Sequence, residues 1–558
     1  MLLAASVTLN IVGNIWGAPA RWHPDEVTGR AIQMVRNSDF SPHYFAYGDL
    51  HYYVVAGLAV VPINALRGLG NAAGLIDETS GRSETETTQM WIMVTARTIS
   101  GLMGAAIVGT TIEIGTRLFS PAAGLAAGLL LLLARGFVVI AHYGTVDMAA
   151  NFWYWLACAG TLAIWKTGSR RAYLLSGIAA GLAAGTKIDR SLIVLPLVVA
   201  HLLRGRPRPH RNLFAALGMV ALAFLMSNPA LLLTPLEFVD GFTRELMFNA
   251  VILSRPGKEP LRLFVLWLQW GLGDPLLILT LAGVALATFI LLFERRGSEL
   301  VWVAATVIPL SVLYSRMSMD RYVTILFPGF ALLAGYAVAK LLTQGPSWRR
   351  LLTSAPIAAT LCWSMIACLA VDLAFLRDPR YAAATWLEQN APAGSRVAID
   401  GYGPLLSGAR YHISRLQRDV GELDEIRRAR ERLRQCEFCQ AVRTTLFDSE
   451  RKITWALRGS SPLRKPYIAW FDGPADTAES KRDELSTLPD ADYLLLLPNR
   501  DTVTRNRLAA PGSGYELIAS FPRPRPFKIT LPFPFIALPV EIYARQASYA
   551  PIASTTAD

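Results

Sequence analysis

Apolar runs long enough to span a membrane recur along this chain from its first residue to about residue 376. A helix needs roughly 20 apolar residues, or about 17 at the low end, to cross the hydrocarbon core of a bilayer. By that criterion the sequence predicts a mostly α-helical, polytopic membrane protein. We identify eleven candidate transmembrane helices: residues 1–18, 91–118, 121–141, 147–166, 172–186, 189–203, 213–233, 274–293, 300–315, 322–342 and 352–376.

Beyond residue 376 the chain becomes polar, and helix-like runs alternate with short strand-like runs. Residues 397–400, 467–471 and 493–497 are examples of the strand-like kind. The sequence therefore predicts two parts. The first is a transmembrane domain, residues 1–376, and the second is a soluble α/β domain, residues 377–558.

The composition agrees with a membrane protein and argues against a nucleic-acid-binding one. Of the 558 residues, 53% are hydrophobic and 17% are charged, whereas soluble domains contain about 25% charged residues. The net charge is +12, but the basic residues lie largely in short loops, where they report membrane topology. We expect no nucleic-acid partner. Cys436 and Cys439 form a single CxxC, for which a zinc site and a short disulfide both stay open.

Four short loops carry the basic residues that set the orientation. They contain Lys166, Arg170 and Arg171; Arg204, Arg206, Arg208 and Arg211; Arg295 and Arg296; and Arg349 and Arg350. Lys and Arg are retained on the cytoplasmic side. With these loops inside, all eleven segments alternate, and residues 377–558 lie outside the cell's inner (cytoplasmic) membrane. Residues 1–18 lack a basic leader and a cleavage site, so we expect a retained helix.

Residues 19–90 then form a long first outer loop. Its stretch 49–70 is apolar enough to be a transmembrane span. One more crossing, however, would break the alternation of inner and outer loops. We therefore predict a helix lying in or against the membrane interface there.

Five turns on the predicted outer side contain the unusual ionisable and polar residues. Charges near the hydrocarbon are costly, and they commonly mark a functional site. The turns hold residues 21–26 (Arg-Trp-His-Pro-Asp-Glu); His142 and Asp147; Lys187, Asp189 and Arg190; Asn228 and Pro229; and Arg316, Asp320 and Arg321.

Each of these turns also has a purely structural interpretation. Asp25 and Glu26, and likewise Asp147, could simply be favourable acids at helix N-termini. Lys187 and Arg190 could extend to the interface, and Arg321 could pair with Asp320. Tyr322 could be an ordinary interfacial aromatic residue. The functional hypothesis depends on all five turns lying on one side.

Carboxylates beside cations at a membrane boundary suit a substrate that is both amphipathic and anionic. A lipid phosphate fits, because its tail stays in the bilayer while Lys and Arg bind the headgroup. A carboxylate can then remove the proton of an acceptor hydroxyl as a general base. Sugar transfer from a polyprenyl phosphate is the simplest reaction with those needs.

Five strings in the right order give the chain a resemblance to the membrane-embedded glycosyltransferases of the C type. It resembles in particular the relatives of the protein O-mannosyltransferases and of the aminoarabinose transferase that acts on lipid A. The strings are His23-Pro-Asp-Glu26, Tyr143-Gly-Thr-Val-Asp-Met-Ala-Ala-Asn-Phe152, Gly181-Leu-Ala-Ala-Gly-Thr-Lys187, Ser227-Asn-Pro-Ala-Leu-Leu-Leu-Thr-Pro235 and Asp320-Arg-Tyr-Val-Thr-Ile-Leu-Phe-Pro328. The resemblance covers roughly residues 1–376. One departure is that relatives often carry a Tyr-Pro-rich string where this chain has residues 44–51.

The resemblance implies an inverting transfer from a polyprenyl-phosphate sugar, with Asp25 as the catalytic base. Glu26 is implied as a less favoured base or metal contact, and Asp147 as the residue that orients the acceptor or supports the base. The residues expected at the donor phosphate are Lys187, Arg190, Arg316, Arg321, Tyr322 and His142. Some relatives need a divalent cation, Mg²⁺ or Mn²⁺, and others do not; Asp25, Asp147 and a nearby His are the groups that would hold one.

Other functions stay open at this stage. A transporter or flippase of a lipid-linked glycan would need paired repeats and polar groups at the midplane, and the sequence shows neither. A glycan polymerase would use similar carriers at the same face, and an inert scaffold would not need Asp25 and Asp147. The expected partners are a lipid-linked sugar donor, membrane lipids and an acceptor that is a glycan, a lipid or a protein.

Overall fold

The structure is a computed structural model, and most of the chain is described by it. The residues outside the description are 40, 73–83, 206–209, 240, 243–258, 316–318, 345, 417–489, 499–501, 511 and 547–558. Arg316, Cys436, Cys439 and the strand-like run 467–471 therefore lie outside the described residues.

Helices make up nearly all of the described chain up to residue 390. In order they are α1 (Leu2–Ile11), α2 (Thr28–Asn37), α3 (Leu50–Val55), a π-helical turn (Ala56–Val60), α4 (Val61–Ala72), α5 (Glu84–Leu118), α6 (Pro121–Leu132), α7 (Arg135–Ala141), α8 (Val146–Thr167), α9 (Arg170–Thr186), a 3₁₀ helix (Ile188–Ile193), α10 (Val194–Leu203), α11 (His210–Ser227), α12 (Ala230–Leu233), α13 (Pro260–Leu272), α14 (Asp274–Phe293), α15 (Gly297–Tyr314), a second 3₁₀ helix (Asp320–Leu326), α16 (Phe327–Thr343), α17 (Ser347–Leu376) and α18 (Pro379–Asn390).

Seven helices within the described residues are long and apolar enough to cross a membrane, or eight if α6 and α7, which meet at 67°, form one broken span. These numbers show a multi-pass membrane protein of mostly helical fold, but the predicted count of eleven is not confirmed. The segments that fall short are residues 1–18, 147–166, 172–186 and 189–203. The main reason is length, because α1 and α10 have only 10 residues each and α9 has 17.

The stretch that we expected at the interface instead meets the length and hydropathy of a span, over Leu50–Leu69. Only 22% of its most apolar window is buried in the protein. Its interfacial position therefore stays a prediction. The sequence reasoning also missed α13, whose apolar run is interrupted by Arg262 and Gln269.

Glycine lets α9 and α11 pack closely, which brings two of the predicted turns together. A Cβ atom on Gly181 would lie 2.5 Å from the carbonyl oxygen of Val220, and one on Gly185 would lie 2.0 Å from Oγ of Ser227. Small residues of this kind are what allow helix backbones to approach in a membrane. The end of α9 therefore lies against the end of α11, which brings the turn that contains Lys187 next to the turn that contains Asn228.

The C-terminal part contains a five-stranded mixed sheet of order β2-β1-β3-β5-β4. Its strands are β1 (Arg396–Ile399), β2 (His412–Arg415), β3 (Tyr493–Leu496), β4 (Tyr515–Phe521) and β5 (Val540–Arg545), and a helix α19 (Thr502–Ala509) lies between β3 and β4. Strand β1 pairs parallel to β2 and β3, whereas β5 runs antiparallel to β3 and β4. Two of the predicted strand-like runs are therefore strands.

A buried polar contact joins this part to the first loop. Nε1 of Trp16 donates to Oδ2 of Asp378 at 2.9 Å, and Nε1 of Trp22 donates to the carbonyl oxygen of Gly403 at 2.9 Å. The guanidinium of Arg380 lies 3.7 Å from the ring centre of Trp22 and donates to both carboxylate oxygens of Asp378. The start of the first loop and residues 378–403 consequently lie on the same side of the helices.

Candidate active site

Four charged residues from four of the predicted turns meet in the structure, and we call Asp25, Asp147, Lys187 and Arg321 the charge cluster. Nζ of Lys187 donates to Oδ1 of Asp147 at 2.7 Å. Arg321 forms an ion pair with Asp25 through Nη1, and its Nε lies 3.7 Å from Oδ2 of Asp147. Two cations and two carboxylates therefore alternate, and the charges within the cluster balance.

Local backbone structure explains how each member reaches this place. Asp147 lies in the first turn of α8, where a carboxylate is stabilised by the helix N-terminus. Lys187 follows the last residue of α9 in an extended conformation, which turns its side chain out of the helix. Arg321 is held by the 3₁₀ helix Asp320–Leu326. Helix ends thus supply three of the four groups.

The two carboxylates of the charge cluster differ in exposure. The side chain of Asp25 is 23% exposed, whereas that of Asp147 is 1% exposed. A general base must come within hydrogen-bonding reach of the substrate proton, and only Asp25 has free surface for that. Asp147 is suited instead to hold Lys187 and Arg321 in position.

Two tyrosines cover the cations. Nζ of Lys187 lies 4.0 Å from the ring centre of Tyr322 and 5.6 Å from that of Tyr47. The hydroxyl oxygen of Tyr47 also accepts a hydrogen bond from Arg321 at 3.3 Å. Such cation–π contacts are favourable when the cation is desolvated. Sequence reasoning predicted Tyr322 at the site but missed Tyr47, which lies in the departing string 44–51.

A loop contact with α9 places Tyr47 over the cluster. The amide of Gly48 donates to the carbonyl oxygen of Thr186 at 3.2 Å, and the amide of Asp49 donates to Oδ1 of Asn228 at 2.9 Å. A Cβ atom on Gly48 would lie 2.1 Å from the carbonyl oxygen of Gly185, so a larger residue would push the loop away. Asn228 therefore acts at the site through the loop that it anchors.

Glu26, although adjacent to Asp25, points to a different partner. Arg97 donates to its Oε1 at 2.6 Å and to its Oε2 at 3.0 Å, and the amide of Gly144 donates to Oε1 at 3.2 Å. Both side chains of the ion pair are 1% exposed. Glu26 consequently ties the first loop to α5 and to the turn before α8. Arg97 lies in the middle of an apolar segment, where a charge commonly marks a functional site. This signal was present in the sequence, but it was not used to predict a role for Arg97.

Arg190 lies near the cluster but is engaged by other groups. It contacts Asp189 at 3.0 Å, donates to Oδ1 of Asn151 at 2.9 Å and bonds the hydroxyl of Tyr314. That hydroxyl in turn donates to Oδ2 of Asp189 at 2.6 Å. Arg190 is fully buried among these partners, so its guanidinium has no exposed surface at which a phosphate could bind. Its role at the donor phosphate therefore stays a prediction.

The structure does not bring His142 into the cluster. Its two ring nitrogens lie 2.8 Å and 2.7 Å from the carbonyl oxygens of Val138 and Val12, and its ring stacks on Phe375. These contacts link α7, the end of α1 and α17. The histidine beside the catalytic candidate is instead His23, which sequence reasoning noted only as part of the string.

His23 is held neutral next to Asp25. Burial, reinforced by the positive charge of Arg321, lowers its pKa to about 3. Its Nδ1 accepts a hydrogen bond from the amide of Asp25 at 3.2 Å, and its ring packs on Tyr143 and Phe535 at 4.2 Å and 4.6 Å between ring centres. The histidine therefore orients the Asp25 backbone without adding charge.

The described residues do not offer a metal site. No group of three or more His, Cys, Asp and Glu side chains among them is arranged to hold an ion. Asp25 and Asp147, the two carboxylates expected to do so, both face Arg321. A divalent cation thus has no fitting ligand set here, and no step proposed below uses one.

The burial of Asp49 predicts a pH dependence of the free energy of unfolding. Its carboxylate is buried, which raises its pKa from the usual 3.8 to about 7. Between these values the native protein holds a proton that the unfolded chain has released, so the free energy of unfolding falls as the pH rises through that window. We expect Asp49→Asn to remove this loss, with a difference of a few kcal/mol at its largest.

Melting temperatures of purified wild type and Asp49→Asn at several pH values test this expectation. The variant should gain on the wild type from about pH 4 to pH 7, after which the difference should stay constant. Two curves that run parallel across that range would contradict the raised pKa of Asp49.

Comparison with known proteins supports the resemblance that the sequence predicted. Residues 90–232 match the family model described as dolichyl-phosphate-mannose-protein mannosyltransferase. This segment contains Arg97, Asp147 and Lys187, and ends at the turn of Asn228. No curated protein matches the chain in sequence.

Three of the solved structures that match the chain are the following. The structure of ArnT from Cupriavidus metallidurans bound to undecaprenyl phosphate is 16% identical, covering 99% of this chain and 98% of that one at a TM-score of 0.49. The apo oligosaccharyltransferase of Archaeoglobus fulgidus is 12% identical, covering 70% of this chain and 58% of that one at a TM-score of 0.47. The Pmt1-Pmt2 complex of S. cerevisiae bound to the sugar donor is 20% identical, covering 40% of this chain and 32% of that one at a TM-score of 0.29.

These TM-scores lie below 0.5, so the proposed function depends on the family model and on the geometry of the charge cluster. The family model confirms the resemblance over the segment that supplies half of that cluster. The chain is thus similar to the C-type membrane glycosyltransferases of the dolichyl-phosphate-mannose-protein mannosyltransferase kind.

Proposed function

We propose that this protein transfers a sugar from a polyprenyl-phosphate donor to an acceptor hydroxyl or phosphate, with inversion, at the outer face of the inner membrane. The observation that carries the proposal is the pairing of Asp25, the accessible carboxylate of the charge cluster, with Arg321. A base beside a phosphate-binding cation is the minimum that this reaction needs.

The reaction balances without any further group. The acceptor oxygen forms a bond to the anomeric carbon of the sugar while the bond from that carbon to the phosphate oxygen breaks. The polyprenyl phosphate leaves with the electron pair, and the acceptor proton passes to the Asp25 carboxylate. Arg321 and Lys187 stabilise the charge that develops on the departing phosphate.

Arg321 has a second role in this scheme, because its guanidinium is paired with Asp25. A donor phosphate that binds Arg321 competes for the guanidinium and leaves the carboxylate freer to accept a proton. Donor binding would thereby prepare the base, while Asp147 keeps Lys187 in place at 2.7 Å.

The contacts between the first loop and the C-terminal part support the proposed orientation. Trp16 and Trp22 bond to Asp378 and Gly403, so the loop that carries Asp25 and the sheet lie on one side. If the basic loops are cytoplasmic, that side is the extracytoplasmic one. We propose that residues 377–558 form an extracytoplasmic domain there.

Replacement of Arg321 by alanine tests the phosphate role. We expect kcat/KM for the polyprenyl-phosphate donor to fall by about 10²-fold or more in membranes supplied with donor and acceptor, because a desolvated charge-assisted contact is lost. Arg349→Ala is the matched control, since Arg349 is exposed and lies at the other end of the helices, and its effect should stay within about twofold.

Equal effects of the two substitutions would refute the phosphate role of Arg321. Movement of intact donor across the membrane without sugar transfer would favour the flippase. Products that grow by whole repeat units would favour the glycan polymerase. Mass analysis of glycans and glycolipids from a deletion strain would then identify the sugar and the acceptor.

A further inference from the structure

A polar cavity of about 600 Å³ lies between the start of the first loop, helix α2 and the beginning of α5. We call it the arginine pocket. The residues of its lining that matter here are Arg21, Thr28, Arg30, Gln33, Arg36 and Gln89. None of the four members of the charge cluster lines it, so it is a separate site.

The pocket has an excess of positive charge. Arg21 and Arg36 form no hydrogen bond or ion pair within the described part of the chain, and Arg30 stacks on Tyr44 and donates only to the carbonyl oxygen of Pro42, at 3.3 Å. The single carboxylate in the lining, Glu26, is already neutralised by Arg97. Among the described residues, three guanidinium groups therefore face one cavity without a counter-charge of their own, an arrangement that attracts an anion.

A buried hydroxyl points to a ligand independently of these charges. Thr28 is 1% exposed and lines the pocket, yet its Oγ1 has no hydrogen-bond partner in the part of the chain that the structure describes. Buried polar atoms are nearly always satisfied, so an unpaired one calls for a partner. Thr28 also begins α2, a helix of 10 residues with no side-chain cap at its N-terminus. Amide groups at such an end favour anions.

We propose that the arginine pocket binds a phosphate-bearing group. Several guanidinium groups with a hydroxyl and a helix N-terminus match the many acceptor oxygens of a phosphate ester. Its carrier is either the sugar acceptor or an acidic lipid of the surrounding bilayer. The acceptor alternative rests on the proposed function, in which the acceptor meets Asp25. Asp25 lies in the sequence between Pro24 and Glu26, which both line the pocket.

Pyrophosphate binding to the full-length protein in phosphatidylcholine nanodiscs tests the proposal. All variants carry Arg321→Ala, which removes the main anion contact of the charge cluster. We expect this protein to bind pyrophosphate and the addition of Arg21→Gln with Arg36→Gln to weaken binding about tenfold or more. The control pair Arg349→Gln with Arg350→Gln removes the same charge from another exposed surface and should change binding by less than about twofold.

Thr28→Val provides a second measure that leaves all charges in place. It keeps the shape of the side chain but removes the hydroxyl, so we expect pyrophosphate affinity to fall severalfold at unchanged melting temperature. The proposal is overturned if the Arg21 and Arg36 substitutions weaken binding no more than the control pair does. It is also overturned if Thr28→Val leaves the affinity for pyrophosphate unchanged.

The same proteins in nanodiscs that also contain phosphatidylglycerol distinguish the two carriers. If that lipid competes with pyrophosphate when Arg21 and Arg36 are intact, the pocket holds a lipid headgroup. If it does not compete, the phosphate belongs to the acceptor. Sugar transfer is measured in neither experiment, so failure of the proposed function and failure of this site give different results.

Discussion

Replacing Asp25 by asparagine is expected to lower sugar transfer by about 10²- to 10⁴-fold, the range over which a general base contributes to catalysis. Asparagine has the same shape but cannot take up the acceptor proton. The side chain is 23% exposed, so the change should leave expression and melting temperature close to those of the wild type. The measurement is the initial rate in membranes supplied with polyprenyl-phosphate donor and acceptor.

Asp274→Asn is the control for this substitution, because Asp274 is an exposed carboxylate at the start of α14, bonded to the neighbouring Gln269. It should transfer sugar at the wild-type rate. Transfer by Asp25→Asn at near the wild-type rate would exclude Asp25 as the base, whatever the rest of the cluster does.

The largest effect on stability is expected one residue along, at the ion pair of Glu26 and Arg97. Arg97→Leu would leave the Glu26 carboxylate buried without its counter-charge and would also remove hydrogen bonds to the carbonyl oxygens of Asn14 and Trp16. Breaking a buried pair in this way costs about 3–5 kcal/mol. We expect a strongly lowered melting temperature and a poor yield of folded protein.

A control on the same helix separates burial from charge. Arg117 pairs with Glu113 on α5, but the two side chains are 61% and 52% exposed, so Arg117→Leu should cost no more than about 1 kcal/mol. Adding Glu26→Gln to Arg97→Leu should restore part of the lost stability, because the uncompensated charge is then gone. Equal melting temperatures for Arg97→Leu and Arg117→Leu would contradict the structural role of Glu26.

These two adjacent acids show what the sequence could and could not predict. The pattern of apolar segments placed both on the loop after the first helix, and the resemblance implied a role for Asp25. What separates them is the partner, since Arg97 lies 71 residues from Glu26 and Arg321 lies 296 residues from Asp25. Ion pairs over such distances depend on tertiary packing, for which local spacing carries no signal.

The same limit applies to the other site residues. Lys187 and Arg321 were predicted because turns between apolar segments must lie at the membrane boundary, and the structure brings them together around Asp147. His142 occupies a turn of the same kind, yet its ring is engaged by backbone carbonyl oxygens of α1 and α7. Placement near the boundary was predictable for all three, whereas the direction of each side chain was not.

Among the elements of the fold, long and uniformly apolar helices were the easiest to predict. Helix α14 coincides with the predicted segment 274–293, and α17 contains the segment 352–376 and begins five residues earlier. The segment 322–342 is covered by α16 together with the 3₁₀ helix before it. The difficulties arose at α13, which is apolar but short, and at the stretch beginning at Leu50, where length and hydropathy permit a span but the alternation of the loops does not. A span at that stretch was not predicted, because one more crossing would break the alternation of inner and outer loops. Its composition nevertheless permits a span.

Trp16 and Trp22 donate hydrogen bonds to Asp378 and Gly403. The helical part and the C-terminal part are therefore not independent of each other. Cutting the polypeptide after α17 would deprive two indoles of their acceptors and uncover the aromatic face on which His23 rests against Phe535. The surroundings of Asp25 are consequently built from both the first loop and the C-terminal part. Replacing the sheet by that of a distant relative would therefore alter the packing around His23 and Asp25 as well as the surface of the C-terminal part.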